Sequence, residues 1–188
     1  MEQEKKFYTL IVFSENFAGL LNQVTAVFTR RQVNIESLNV SASSIRRVHK
    51  YTITCWSTEN QIQIITKQIE KRIDVLQAHY FTDNEVFIQE VALYKLSTPI
   101  ILQNHAITKA IRQHAAEILE VNPTYTVVSK TGLTDDILSL YYTLNNFHCV
   151  LQYVRSGRIA ITKSRREYLD EFLEARRQAY EKLLIDKR

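Results

Sequence analysis

The sequence predicts an α+β protein of two small domains followed by a helical tail. Two patterns lead to this prediction: the first half alternates strands and helices in a regular order, and the second half repeats that alternation more loosely. The composition agrees with a folded chain, because apolar residues make up 45% of the 188 positions, enough to bury a core.

The first half has the order βαββαβ. Its strands are apolar and β-branched runs, and its helices repeat apolar residues at helical spacing, as in Leu20, Val24 and Val27. We therefore expect a domain over residues 5–82 with the split-βαβ, ferredoxin-like arrangement, an antiparallel sheet with two helices on one face. The predicted elements are strand 7–13, helix 20–31, strands 33–40 and 48–56, a helix that begins at 59, and strand 75–81.

A polar break at 82–85 precedes the second half, which predicts another α+β domain over 86–163. Pro99 suits the start of a loop, and Thr134 suits the N-cap of the helix predicted over 134–144. The predicted elements are strand 86–96, helix 104–119, strand 125–130, helix 134–144, and strands 150–154 and 158–162.

Residues 164–188 predict a charged amphipathic helical tail. Ser164 and Glu167 have the spacing of a capping box at its start. Its apolar stripe must pack on the rest of the chain, on a second copy or on a partner protein. The stripe consists of Leu169, Phe172, Leu173, Ala179, Leu183 and Leu184.

The composition excludes several classes of protein. Only three glycines are present, too few and too scattered for a dinucleotide fingerprint or a P-loop. Residues 155–188 hold 10 Lys+Arg and 6 Asp+Glu, and this excess of positive charge equals the whole net charge of the chain, +4. The rest of the chain is therefore neutral and gains no electrostatic attraction for nucleic acid. No apolar run is long enough for a membrane span and no signal-peptide pattern is present, so we expect a cytoplasmic protein.

The sequence offers no catalytic or metal-binding set. Cys55 and Cys149 lie 94 positions apart in apolar contexts, which indicates buried free thiols rather than a zinc or redox site. The five histidines form no metal-binding pair. The adjacent carboxylates Asp135 and Asp136 suit the first turn of a helix better than acid–base chemistry.

The turn after the first strand is the best candidate for a binding site. Asn16 lies in this turn, and Gly19 falls where the first helix begins, so free backbone N–H groups and the positive end of the helix dipole would suit a carboxylate. The Asn16 amide can serve both an ammonium and a carboxylate. A plain helix start, with glycine required only for packing, remains the alternative on spacing alone.

A basic cluster at 46–50 followed by Tyr51 leaves open an RNA-binding alternative, because RNA-recognition domains share the split-βαβ order. Their signature requires glycines that the segment from Val48 to Ile53 lacks. A solvated hairpin tip therefore fits this segment better.

Separated motifs give the chain a family resemblance. Over residues 6–163 it resembles the regulatory small subunits of acetolactate synthase. The first domain of those subunits is an ACT domain. The motifs are Asn16-x-x-Gly19-x-Leu21, Val24, Phe28, Arg30-Arg31, Asn34-Ile35-Glu36-Ser37-Leu38, Asp74-Val75-Leu76, Glu90-x-x-Leu93-x-Lys95, Thr131-Gly132 and Val154-Arg155-Ser156-Gly157-Arg158-Ile159-Ala160.

The resemblance implies a non-catalytic regulator. ACT domains in that family pair side by side and bind a branched-chain amino acid, usually valine, at the interface. By position, the first chain would contribute the Asn16 side chain and the Gly19 backbone, and the second chain would contribute Asn34. The full set of implied valine-binding residues is Asn16, Ala18, Gly19, Leu20, Asn34 and Ile35.

The resemblance also implies a partner, the large catalytic subunit, which carries thiamine diphosphate, Mg²⁺ and FAD. This chain would bind none of these cofactors; it would activate that subunit and confer feedback inhibition by valine. The alternative is an ACT-type regulator of a different enzyme.

Two positions depart from the family pattern: Gln23 stands where a basic residue is common, and Gln32 where glycine is usual at the end of the first helix. We expect Gln32 either to cost about 1 kcal/mol in a left-handed conformation or to reshape the turn next to Asn34.

Overall fold

The computed structural model describes residues 4–164 and, beyond them, 169–171, 173–175 and 177–178. These residues divide into two compact units. The first runs up to Phe87 and also contains the residues from Ala160 onward, and the second is Ile88–Ile159. The predicted α+β fold, with a ferredoxin-like first half, is confirmed.

The first unit contains one four-stranded antiparallel sheet of strand order β2-β3-β1-β4, which places β2 and β4 at its edges. Its elements are β1 (Lys6–Glu15), α1 (Leu20–Arg30), β2 (Ser37–Ala42), β3 (Val48–Ser57), α2 (Glu59–Glu70) and β4 (Val75–Phe81).

The core of the first unit lies between this sheet and its two helices. Alternate residues of β1, Tyr8, Leu10 and Val12, pack with the apolar faces of α1 and α2. Burying a leucine or isoleucine side chain stabilises a fold by about 1.5–3 kcal/mol, so this layer holds the helices on the sheet. Tyr51 belongs to the same core and offers no ring to solvent for base stacking.

The second sheet has the order β6-β7-β5-β8, and β9 pairs with β5. A separate core of buried residues, with Tyr94, Ile111 and Leu140 among them, lies beneath its helices. The elements are β5 (Val86–Ser97), α3 (Thr98–Gln103), α4 (His105–Gln113), β6 (Glu117–Val121), β7 (Tyr125–Gly132), α5 (Thr134–Asn146), β8 (Val150–Arg155) and β9 (Ile159–Thr162).

Four sequence predictions were wrong in detail. Pro99, predicted at the start of a loop, lies in the first turn of helix α3, which the sequence analysis missed. The strand predicted from residue 33 begins at Ser37, because Gln32 and Val33 first form a turn. The helix predicted over 104–119 ends at Gln113, and strand β6, which the sequence analysis missed, follows it. The N-cap position of α5 is Leu133, and Thr134 is its first residue, with its hydroxyl donating to Glu90 instead of capping the helix.

Most of the predicted tail, including Glu167 of the expected capping box, lies outside the described residues. The described tail residues from Leu169 onward are helical, and Leu169 is buried. No helix among the residues that the structure describes is long and apolar enough to cross a membrane.

Candidate functional site at the start of α1

The loop between β1 and α1 is anchored by its neighbours and open to solvent. The backbone N–H of Glu15 donates to the Asp74 carbonyl at 2.9 Å, and that of Asn16 donates to the Arg47 carbonyl at 3.0 Å. Asn16, Ala18 and Gly19 are all exposed. The loop is therefore held in place by backbone bonds while its own side chains stay available.

Gly19 is the N-cap residue of α1 and adopts a left-handed conformation with φ of 88°. A Cβ atom built at Gly19 would meet no atom within 4 Å, so open space lies in front of this backbone. The glycine is thus required by its conformation, and not by close packing of helix against strand, which was the alternative from spacing.

The first turn of α1 has donors to offer a ligand. Leu20 donates its N–H to the Phe17 carbonyl at 3.3 Å, and Gln23 donates to the Gly19 carbonyl at 3.2 Å. Between them, the N–H groups of Leu21 and Asn22 have no hydrogen-bond partner among the described residues. No acidic side chain lies in this turn, so the positive end of the helix dipole is not neutralised there.

The structure brings four of the six predicted residues together. Asn16, Ala18, Gly19 and Leu20 are consecutive parts of this loop, but the Leu20 side chain is fully buried in the core, so only its backbone faces the site. The sequence analysis predicted free N–H groups at this helix start without naming the residues that carry them, and the structure places them at Leu21 and Asn22.

The other two predicted residues lie at the far end of α1. Asn34 and Ile35 follow the C-terminus of this eleven-residue helix, about 16 Å from its start at 1.5 Å per residue. Asn34 is exposed, and Ile35 packs partly against the core. Within one chain, therefore, Asn34 does not join Asn16 and Gly19.

The second unit contains a cluster of charged residues whose role the sequence analysis missed. Glu90 is only 2% exposed; it accepts a hydrogen bond from the Thr134 hydroxyl at 2.5 Å and lies 3.4 Å from Arg155 Nη1. Arg158 Nε is 3.7 Å from the other Glu90 oxygen and donates to the Thr134 hydroxyl at 3.3 Å. Glu90 comes from one sequence motif and the two arginines from another, and the fold joins the two motifs around one buried carboxylate.

The described residues contain no cluster of three or more His, Cys, Asp or Glu side chains that could hold a metal ion. Burial raises the pKa of the Cys55 thiol to about 12, with a smaller contribution from Glu36. Burial also raises the pKa of the Cys149 thiol. Both thiols are therefore protonated at neutral pH and poor nucleophiles.

Comparison with known proteins gives two family matches. Residues 89–164 match the family described as the small subunit of acetolactate synthase, and residues 10–77 match the family described as the AHAS small subunit-like ACT domain.

Individual relatives agree with these matches. The acetolactate synthase small subunit of Bacillus subtilis is 30% identical over 160 residues, 85% of this chain and 91% of the relative. That of Mycobacterium bovis is 29% identical over 161 residues, 86% of this chain and 95% of the relative. The crystal structure of the Thermotoga maritima small subunit superposes with a TM-score of 0.77 at 20% identity, covering 86% of this chain and 99% of that one.

Proposed function

The chain belongs to the family of acetolactate synthase small subunits, and from that premise we propose that it activates a separate catalytic subunit and makes it sensitive to inhibition by valine. The observation that supports a ligand site most directly is Gly19, which is left-handed and has open space in front of its backbone at the start of α1. We also propose that the catalytic subunit carries thiamine diphosphate, Mg²⁺ and FAD. Both subunits would act in the cytoplasm, where branched-chain amino acids would be made.

Valine would bind with its carboxylate at the free N–H groups of α1 and its ammonium at the Asn16 side-chain oxygen. Two charge-assisted hydrogen bonds from Leu21 and Asn22 would hold the carboxylate, each shorter and stronger than a neutral one. The open space over Gly19 would admit the ligand to the backbone. Ala18 is small enough to leave this approach clear.

Self-association through β2 would complete the site. Strands β1 and β2 both run antiparallel to β3, so they run parallel to each other, and the start of β2 lies at the opposite end of the sheet from Asn16. If two copies pair their β2 edges antiparallel about a two-fold axis, the start of the second β2 comes to the end of the first. Asn34 and Ile35 of the second copy then lie at the end of the joined sheet where Asn16 and Gly19 are found.

The composition of β2 supports this pairing. An exposed edge strand that should not pair usually carries charged residues or proline, and the segment Ser37–Ala42 has neither. The domain boundaries we propose for this arrangement are an ACT domain at 5–82, a second domain at 86–163 and the tail at 164–188.

The mechanism is linkage between two states of the complex. Valine inhibits only if it binds the less active arrangement more tightly than the active one, and a tenfold preference corresponds to about 1.4 kcal/mol. The site between two copies suits this role, because any change in how the copies pair alters its geometry.

Acetolactate formation by the purified catalytic subunit from the same source tests the proposal. The rate is measured alone, with this chain, and with this chain plus valine, after circular dichroism has shown that both proteins are folded. We expect a rise in rate and then its suppression by valine. No rise in rate would contradict the regulatory function, and a rise without suppression would contradict the valine site alone.

A further inference from the structure

A cleft at the opposite end of α1 concentrates positive charge. Arg30 and Arg31 end this helix, Lys71 and Arg72 follow the end of α2, and the four side chains with Gln68 line a cavity of about 580 Å³. We call it the basic cleft. All of these residues belong to the first unit and none belongs to the loop around Gly19.

None of these cations has a carboxylate partner among the described residues. No carboxylate there lies within ion-pair distance of any of the four, and Arg30 uses its Nε only to donate to the carbonyl of Ala26, at 3.2 Å. Arg72 Nε is buried and has no hydrogen-bond partner among those residues. A buried unpaired donor normally costs about 1–3 kcal/mol, which a bound acceptor would offset.

The helix dipoles do not account for this much charge. Each helix C-terminus carries the equivalent of about half a negative charge, so the ends of α1 and α2 would neutralise roughly one of the four positive charges. A large surplus of positive charge remains.

The basic cleft also adjoins neutral hydrogen-bonding groups. A second cavity, of about 520 Å³, shares Arg30 and Arg72 with the first. It is otherwise lined by Asn22, Gln23, Ala26 and Thr29 of α1. Volumes of 300–1,000 Å³ are typical of sites for small molecules.

We propose that the basic cleft binds a small polyanion, a molecule with two or more phosphate or carboxylate groups. Guanidinium groups pair with the oxygens of such groups through two parallel hydrogen bonds, and three of the four cations are arginines. A single carboxylate, as in an amino acid, would leave most of the charge unbalanced. The basic cleft shares no residue with the proposed valine site and does not depend on it.

Isothermal titration calorimetry of the full chain with inorganic tripolyphosphate and with citrate tests the proposal. The measurements are made at about 0.15 M salt, where weak surface attraction is largely screened. We expect one of these polyanions to bind at least tenfold more tightly than acetate, and the one that does distinguishes phosphate from carboxylate ligands. The double variant Arg31→Gln/Arg72→Gln should weaken that binding about tenfold or more, since each arginine provides charge-assisted bonds.

The matched control is Arg46→Gln/Arg47→Gln, which removes two exposed arginines from the hairpin tip between β2 and β3. This variant should leave the affinity within about twofold, and thermal unfolding shows whether both variants remain folded. Three results would overturn the proposal. Neither polyanion binds, acetate binds as tightly as the polyanions, or the cleft variant loses no more affinity than the control variant. The same titration is made with polyglutamate. If polyglutamate binds and neither small polyanion does, the proposal is overturned and an acidic polypeptide is the occupant.

Discussion

The two units repeat one topology but differ where the first strand passes into the first helix. The orders β2-β3-β1-β4 and β6-β7-β5-β8 correspond strand for strand, with α3 and α4 in the place of α1. In the first unit a four-residue loop ending in Gly19 leaves open space at the helix start. In the second unit Ser97 runs directly into α3, Pro99 stands in its first turn, and the buried Thr98 hydroxyl bonds to Thr126 at 2.9 Å. The same topology therefore leaves the helix start open in the first unit and closes it in the second.

The units also differ in the use of charge. The core of the first is apolar, with its positive charges at helix ends, whereas the second buries Glu90 between Thr134 and two arginines. A buried carboxylate must be paired to be tolerated, so this cluster fixes the positions of β5, α5 and the segment after β8. The second unit is therefore held together partly by a buried ionic cluster, whereas the core of the first is held together by apolar packing.

The largest effect is expected from Glu90→Ala, which removes the center of that cluster. Arg158 is mostly buried and would lose its contact with this carboxylate, so the free energy of unfolding should fall by about 3 kcal/mol. Urea unfolding followed by circular dichroism measures it. Glu117→Ala, an exposed glutamate on β6, is the control and should change little. Equal losses in the two variants would show that the cluster does not hold the second unit together.

Gly19→Asp should abolish the valine response while leaving activation of the catalytic subunit. A carboxylate there repels the carboxylate of the ligand, and we expect at least about 100-fold weaker inhibition, or about 2.8 kcal/mol. Aspartate tolerates the left-handed conformation better than most residues, so folding should survive. The control is Pro99→Asp, which places a carboxylate at the matching helix start of the second unit. Inhibition that persists in Gly19→Asp would show that valine binds elsewhere.

The edge strands β2 and β6 of the two units differ in charge, and the variant Asn39→Lys tests whether the uncharged β2 is a pairing surface. Strand β2 is uncharged, whereas β6 carries Glu117 and Glu120. A lysine on each β2 edge should weaken self-association by about 1 kcal/mol, roughly fivefold, because like charges then face each other. Sedimentation over a concentration series measures it, with Glu117→Lys as the control on β6. A wild-type chain that is monomeric at micromolar concentration would refute pairing through β2.

Most elements could be predicted because their apolar spacing is regular, and the failures have physical causes. Strand β6 was missed because Ile118 continues the helical spacing of Ile107 and Ile111, while neither glycine nor proline marks the end of the helix at Gln113. The left-handed Ala115, which ends it, cannot be recognised from the side chain. Helix α3 was missed because Pro99 was interpreted as the start of a loop and lies instead in the first turn.

The candidate site could be predicted in part. Asn16 and Gly19 were found because glycine is rare in this chain and falls at a helix start. Free N–H groups at this helix start were also predicted, but which residues carry them depends on the backbone bonds that Leu20 and Gln23 make, and no side chain indicates those bonds. The basic cleft depends on two helix ends that lie about forty residues apart in sequence, and only the packing of α1 against α2 brings them together.

The smallest effect concerns a feature that the two units share. Gln32 and Ala115 both follow a helix that leads into an edge strand, with φ of 54° and 50°. In each case the next residue donates its N–H five positions back, Val33 to Phe28 at 3.1 Å and Ala116 to Ile111 at 3.0 Å. This is the hydrogen bond of a Schellman motif, in which glycine is the favoured left-handed residue.

Gln32→Gly and Ala115→Gly should therefore each stabilise the fold. Removing the Cβ atom relieves about 1–2 kcal/mol of left-handed strain, and the extra freedom of glycine in the unfolded chain offsets about half of it, leaving a gain of about 0.5–1 kcal/mol. Urea unfolding measures both variants, and Ala26→Gly inside α1 is the control, expected to lose about 1 kcal/mol. If Gln32→Gly alone failed to stabilise, its side chain would be favourable in this turn for a reason that Ala115 does not share. The two units would then differ at the C-terminal ends of their helices as well as at the N-terminal ends.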